Sequence, residues 1–320
     1  MVLLSPFARH GLFCYGVFFC QKTLKEGLTM IQTCLLGLGR TGMVIAEELL
    51  KAPDFNLTTA MARPNSPKKG KKLADYILGG NQLMIQSTDM LADEVRQHRW
   101  DVAIDFTSPE ATLKNARILA EHGIPMVIGT TGFNTMEIYE LKSLAQKNQV
   151  GIVYAPNISL GINLLLSIVK TVSRLLPDYD VEITESHHKH KKDSPSGTAL
   201  KIAHEIAAVR RHKSYKYIHG RKGMHLRDKS EIGIHAIRAG GIVGVHEVLF
   251  AGESDEIKIT HRSYSRKVFA EGALQAARFI TKHIGFFSME DVIQAELERE
   301  AVSMDAAGIP PLDYTGALEA

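Results

Sequence analysis

Between Glu182 and Leu200 the chain reads EITESHHKHKKDSPSGTAL, a stretch that gathers imidazoles, fixed positive charge and an anion-binding turn. The alternating segment after Tyr179, Asp180 and Val181 reads as a strand that delivers His187 and His188 to its end. SPSGTAL then starts a helix, with Pro195 near its first turn and Ser196, Gly197 and Thr198 presenting unpaired backbone N–H groups. Such a helix start attracts carboxylate or phosphate through its N–H groups and its dipole. Two imidazoles and Lys191 beside it supply a proton donor and a counter-ion for an acidic ligand.

Other chemistries fit the same residues less well. HHKHKK also reads as a solvated basic loop. Paired histidines suggest a metal, but no His-x-x-x-His lies on a clear helix face and no cysteine is near, so no metal site is assigned. A net charge of +3 and the lack of interleaved aromatic residues argue against nucleic acid.

The elements that must position this stretch begin at Met30. TCLLGL, FNLTTAMA, DVAIDF, IPMVIGT and VGIVYAP are strand-like, and amphipathic candidates at Met43–Leu50, Pro109–Glu121 and Thr135–Lys147 separate them. That alternation is the pattern of a Rossmann-like doubly wound parallel sheet. Ligands there sit beyond the carboxyl ends of the strands, where Gly37, Thr107, Gly129 and Ala155 fall. GLGRTG follows the first strand and opens a helix, the context in which Gly37, Gly39 and Gly42 cradle a pyrophosphate, with Arg40 and Thr41 beside the phosphates.

The end of the second strand bears on which dinucleotide binds. An NADH site places a carboxylate there, whereas a 2′-phosphate needs positive charge. Between Ala60 and Lys72 the chain has no carboxylate but has Arg63, Lys68, Lys69, Lys71 and Lys72. Arg63 is the best candidate, since its planar guanidinium can grip phosphate and stack on adenine. NADPH is the preferred cofactor on this reading, with NADH possible.

Beyond the APN turn, Leu160–Leu176 reads as an apolar helix. IGIHAIRAG, IVGVHEVLFAG and DEIKITHRSYS read as strands joined by glycine-bearing turns, an α+β second domain with a mixed or antiparallel sheet. KVFAEGALQAARFI, which Arg266 opens, is a further helix.

With 320 residues and 45% hydrophobic content, the chain has enough apolar surface for two domains. Its three cysteines, Cys14, Cys20 and Cys34, make no disulfide framework, which points to a reducing cytoplasm. Met1–Thr29 reads as an extension upstream of the fold. The apolar run from Phe13 to Cys20 is too short to span a bilayer and no small-x-small cleavage site follows, so a misassigned start is preferred to a targeting peptide. Protein starting at Met30 is expected to fold and work as the full chain does. In the tail, QAELEREAV has helical composition and GIPPLDYTG is loop-like.

The His-His segment closely resembles the signature of bacterial dihydrodipicolinate reductases. Their pattern runs Glu-x-His-His-x-x-Lys-x-Asp-Ala-Pro-Ser-Gly-Thr-Ala. Here it is met at Glu185, His187, His188, Lys191, Asp193, Pro195, Ser196, Gly197, Thr198 and Ala199, with Ser194 in place of the first alanine. IDFTSPEAT from Ile104, GTTGF from Gly129, APNISLGINLL from Ala155 and the long block from Ala239 recur in the family's order. The resemblance spans Met30 to Val292. Two departures stand out: Leu36 where the family has its first glycine, with Gly37 taking that role, and Val245 where the family often has Glu, which favours an altered substrate geometry.

The resemblance implies a nucleotide domain at 30–157 and 266–293, a substrate and oligomerisation domain at 158–265, and a tail at 294–320. It implies reduction of 4-hydroxy-tetrahydrodipicolinate, a small dicarboxylate, on the diaminopimelate route to lysine. His187 is then the general acid and Lys191 the electrostatic stabiliser, while His188, Ser196, Gly197 and Thr198 bind carboxylates. Thr107, Gly129, Thr130 and Thr131 serve the nicotinamide half of the cofactor. Ala155, Asn157, Ile158 and Arg266 lie beside it. The implied assembly is a homotetramer, with no nucleic-acid or membrane partner. Two alternatives stay open: a related amino- or imino-acid dehydrogenase, and a non-catalytic NADPH-binding regulatory protein.

Overall fold

The computed structural model describes residues 30–77, 80–210 and 214–306, so the upstream extension Met1–Thr29 and the GIPPLDYTG segment lie outside the described residues. The chain begins with β1 (Ile31–Leu36), α1 (Arg40–Lys51), β2 (Phe55–Ala62), β3 (Ile85–Ser87), α2 (Leu91–Gln97) and β4 (Val102–Asp105). It continues through α3 (Pro109–Glu121), β5 (Met126–Ile128), α4 (Thr135–Asn148) and β6 (Gly151–Tyr154). Next come α5 (Leu160–Leu175), β7 (Asp180–His187), α6 (Gly197–Val209), β8 (Lys216–Ile218), β9 (Glu231–Arg238), β10 (Gly244–Ala251) and β11 (Glu256–Ser263). The last elements are α7 (Lys267–Ile280), β12 (Gly285–Phe287) and α8 (Met289–Ala306).

Strands with near-continuous apolar runs are buried on both faces, and the first sheet follows that rule. It has seven parallel strands in the order β12-β6-β5-β4-β1-β2-β3. One face packs Leu35, Ile104, Val127 and Val153 against Ile45 and Leu49 of α1 and Ala273 and Ala277 of α7. The other face packs Cys34, Leu36, Ala103 and Ile128 against Leu113 and Leu119 of α3 and Leu141 of α4. The chain therefore leaves this sheet after β6 and returns to it through α7 and β12.

The second sheet alternates instead. Its order is β11-β10-β7-β9-β8, with β10 antiparallel to both neighbours and β7, β9 and β8 parallel. Val181, Ile183, Ile232, Ile234, Val248 and Phe250 face α5 and α6 and close a separate core. Among the described residues no helix covers the opposite face. No helix there is long and apolar enough to cross a membrane.

The first glycine turn is fixed by close backbone approach. Gly37 has φ +98°, and a β-carbon on it would lie 2.4 Å from the Phe106 carbonyl oxygen. One on Gly42 would lie 1.8 Å from the Gly37 carbonyl oxygen, so β1, the turn and α1 meet without space for side chains. Gly39, at the N-cap of α1, has nothing within 4 Å of its missing β-carbon and leaves an open approach to the helix start. Gly42→Ala should lower the free energy of unfolding by about 1–3 kcal/mol through overpacking. Urea unfolding checks this, and an unchanged midpoint would mean that the turn relaxes freely.

Candidate active site

Strand register assembles the His-His stretch. On β7, Glu185 and His187 share the core-facing row because successive side chains alternate. Register sets His246 of β10 opposite Glu185 and Arg238 of β9 opposite His187. Glu185 is fully buried. Its Oε2 accepts from His187 Nδ1 at 2.6 Å and from Arg238 Nη1 at 2.8 Å. Its Oε1 accepts from Arg238 Nη2 at 2.7 Å and from the Ser196 N–H at 2.9 Å.

Burial alone would push the Glu185 carboxyl up, but the bonds from Arg238, His187 and Ser196 together outweigh it and hold it below the ordinary glutamate value. For His187 the balance is reversed. Loss of water is the largest influence and lowers the ring's pKa; Glu185 raises it, Lys191 and Arg238 lower it, and the net direction is down.

Ser196 caps α6: its Oγ accepts from the Ala199 N–H at 3.2 Å and shares a 3.2 Å hydrogen bond with His246 Nε2. His246 is 5% exposed, and burial, followed by the neighbouring His187, drives its pKa down to about 3. It is therefore a neutral ring at physiological pH. Lys191 pairs with Asp193 at 2.9 Å. The Asp193 carbonyl accepts from Arg238 Nη2 at 2.6 Å. Asn157 Nδ2 donates to Thr198 Oγ1 at 3.0 Å, tying the APN turn to the start of α6.

An open cleft of about 400 Å³ lies where the two sheets meet. His187, His188, Lys191 and Thr198 line it from the second domain, and Thr41, Gly129, Thr131, Ala155, Asn157, Ile158 and Arg266 from the nucleotide side. Phe106, Pro156, Val243 and Phe269 complete it, and sequence reasoning had singled out none of these as contacts. Ser196, 2% exposed, lies beneath the helix start, while Gly197 beside Thr198 is exposed. Gly37, Gly39, Arg40 and Gly42 form the turn and first residues of α1.

The Thr107 and Thr130 hydroxyls turn inward to Asp105 Oδ1, at 2.7 and 3.2 Å. Asp105 is 1% exposed and also accepts from the Thr107 N–H, Thr112 Oγ1 and Asn115 Nδ2. A buried carboxylate needs these donors, and Thr107 and Thr130 supply them from beneath the cleft. An acid at a strand end followed by Thr-Ser was the available signal. Val245 pairs with Ser186 and Arg262 and so faces away from His246 and the cleft, which removes the reason for an altered substrate geometry.

Among the lysines after β2, Lys68 is the one that reaches back. Its Nζ donates to the Leu38 carbonyl in the glycine turn at 2.6 Å and lies 5.7 Å from the Tyr76 ring centre. Arg63 stands exposed just after β2. An open helix start at Gly39 fits a dinucleotide's diphosphate.

A parallel nucleotide-type sheet and a mixed-sheet domain with a cationic, imidazole-bearing cleft between them define a two-domain, nucleotide-dependent oxidoreductase. The chain belongs to the dihydrodipicolinate reductase family, whose N-terminal model matches residues 31–158 and whose C-terminal model matches residues 161–293. A 4-hydroxy-tetrahydrodipicolinate reductase of Methanosarcina mazei is 42% identical over 268 residues, 82% of this chain and 99% of that protein. Those of Methanocaldococcus jannaschii and Rubrobacter xylanophilus are 38% and 39% identical, covering 82% and 83% of this chain and 97% and 99% of theirs. A dipicolinate-bound dihydrodipicolinate reductase from Paenisporosarcina sp. TG-14 shares the fold with TM-score 0.67 and 24% identity, over 81% of this chain and 98% of that one.

The neutral state of His246 gives a pH test. Between its folded value of about 3 and the free imidazole value of about 6.5, the unfolded chain takes up a proton that the folded chain refuses. Its contribution to stability is present above about pH 6.5 and is lost as pH falls toward 3. Acid titration of unfolding free energy should therefore be shallower for His246→Gln than for the parent. Equal slopes would place a charged ring in the folded protein.

Proposed function

We propose that this chain reduces 4-hydroxy-tetrahydrodipicolinate to tetrahydrodipicolinate, consuming one hydride and one proton and releasing water, in lysine synthesis through diaminopimelate. Family membership and relatives named for this reaction support the reading, and so does the cleft that gathers His187, His188, Lys191 and Thr198. That gathering is the single observation that carries it. When bound, the nicotinamide supplies the hydride, and Gly37, Gly39, Arg40, Thr41 and Gly42 are the residues to hold its diphosphate.

The protein's own work is to bind, orient and protonate. The start of α6 and the hydroxyl of Thr198 receive one carboxylate, helped by helix polarity. His188, whose Nδ1 is buried without a partner among the described residues, receives the other. Lys191 is held by Asp193 through an ion pair that is worth about 0–1 kcal/mol at an exposed site, so an arriving dianion displaces it. Hydride addition builds carbanion or enamine character beside the imine, and His187 delivers the proton that quenches it.

We assign NADPH as the preferred cofactor. Arg63 and Lys68 support this, as does the lack of a carboxylate at the end of β2. A homotetramer is the proposed assembly. Its support is the uncovered face of the second sheet, with Ile237 46% exposed, and the fully exposed Met224 and Leu226 between β8 and β9. Cytoplasmic residence accords with a buried free thiol at Cys34.

His187→Gln should lower kcat by about two to four orders of magnitude while nucleotide binding stays intact. Lys191→Ala should also depress kcat, a rise in KM reporting lost carboxylate binding. Steady-state kinetics with a fluorescence titration of nicotinamide check both, and near-normal turnover in either variant removes its role. Arg63→Ala should weaken NADPH by about ten- to a hundredfold, the worth of a charge-assisted phosphate bond, and NADH far less. Equal losses for the two nucleotides would place Arg63 away from the 2′-phosphate.

A further inference from the structure

We propose that Glu185 is the positioning residue of this site, a buried carboxylate that fixes both the direction of the His187 ring and the start of the carboxylate-binding helix. The proposal rests on the reading of His187 as proton donor.

An ionised carboxylate is an acceptor only, with room for about four hydrogen bonds. All four are used here, by Arg238 twice, by the Ser196 N–H and by His187 Nδ1. His187 can occupy its place only as a donor, so Nδ1 carries a proton whether the ring is neutral or charged. The exchangeable proton then belongs to Nε2. That nitrogen lies beside Gly244, where an added β-carbon would come within 3.3 Å, so the glycine leaves Nε2 uncovered.

Stability alone gives no reason for the charge. Buried ion pairs often contribute no more than well-packed apolar groups of the same volume. Orientation and basicity do give a reason. The charged groups facing His187 are Glu185 of β7, Arg238 of β9 and Lys191 of the β7–α6 connection, with His246 of β10 as a neutral ring. Of these, Glu185 raises the ring's basicity, while Lys191 and Arg238 lower it. Through the Ser196 N–H, the same carboxylate places the first turn of α6. Acid and carboxylate cradle are thus set relative to each other by one side chain.

The test uses Glu185→Gln in the parent and in the His187→Gln background. In the parent background kcat near neutrality should fall about ten- to a hundredfold, part of what a general acid contributes. The loss should shrink as pH is lowered, because the amide lowers the ring's pKa. In the His187→Gln background the same change should cost less than about threefold, since coupled residues are not additive. A pH-independent loss, or losses that multiply in the double variant, would overturn the proposal. Nitrogen NMR of the His187 ring in the unaltered protein keeps the test independent of variant folding. A neutral ring protonated at Nδ1 is expected, and one protonated at Nε2 would refute it. Failure of the proton-donor reading is seen separately, as near-normal turnover of His187→Gln alone.

Discussion

A charge buried away from water must be matched bond for bond, and Glu185 is the place where that requirement organises this protein. Desolvating a carboxylate costs several kcal/mol, so it persists only where donors converge on it. Those donors come from β7, from β9 and from the N-cap of α6. A slip of one residue in β7 would turn Glu185 and His187 to the uncovered face and break all of these contacts. The bond network and the strand register are therefore one constraint, and the alternating apolar positions of the same row, facing α5 and α6, enforce it.

The nucleotide half meets a similar problem with different chemistry. Asp105, at the end of β4, is held by hydroxyls, an amide and a backbone N–H rather than by a cation. That arrangement fixes the turns after β4 and β5, which form one wall of the cleft. Arg238 balances the charge of Glu185, whereas neutral donors alone meet Asp105. Cations reach the cleft from both sides, Lys191 from the second domain and Arg266 from the nucleotide side. The substrate and the nucleotide cofactor, both anionic, benefit from that distribution.

Much of this was legible in the sequence, because the signals were periodic or local. FNLTTAMA coincides with β2 and Pro109–Glu121 with α3. The strand before His187 and the helix opening at Ser196 also follow from local pattern. β3, β8 and β12 escaped because they are three residues long and lack the continuous buried apolar run that made the equally short β5 legible. Arg238 escaped for another reason: it lies 53 residues from Glu185 and meets it only through the parallel pairing of β7 and β9. The direction of the Thr107 and Thr130 hydroxyls escaped as well. Local pattern places both residues at strand ends, and only the buried Asp105 decides where their hydroxyls turn.

The most direct test of the whole account is nicotinamide oxidation by the unaltered protein, followed by absorbance, when freshly generated 4-hydroxy-tetrahydrodipicolinate is added to the NADPH complex. The account predicts stoichiometric oxidation coupled to formation of tetrahydrodipicolinate. Tight NADPH binding with no oxidation would contradict it and leave a nucleotide-binding protein without this activity.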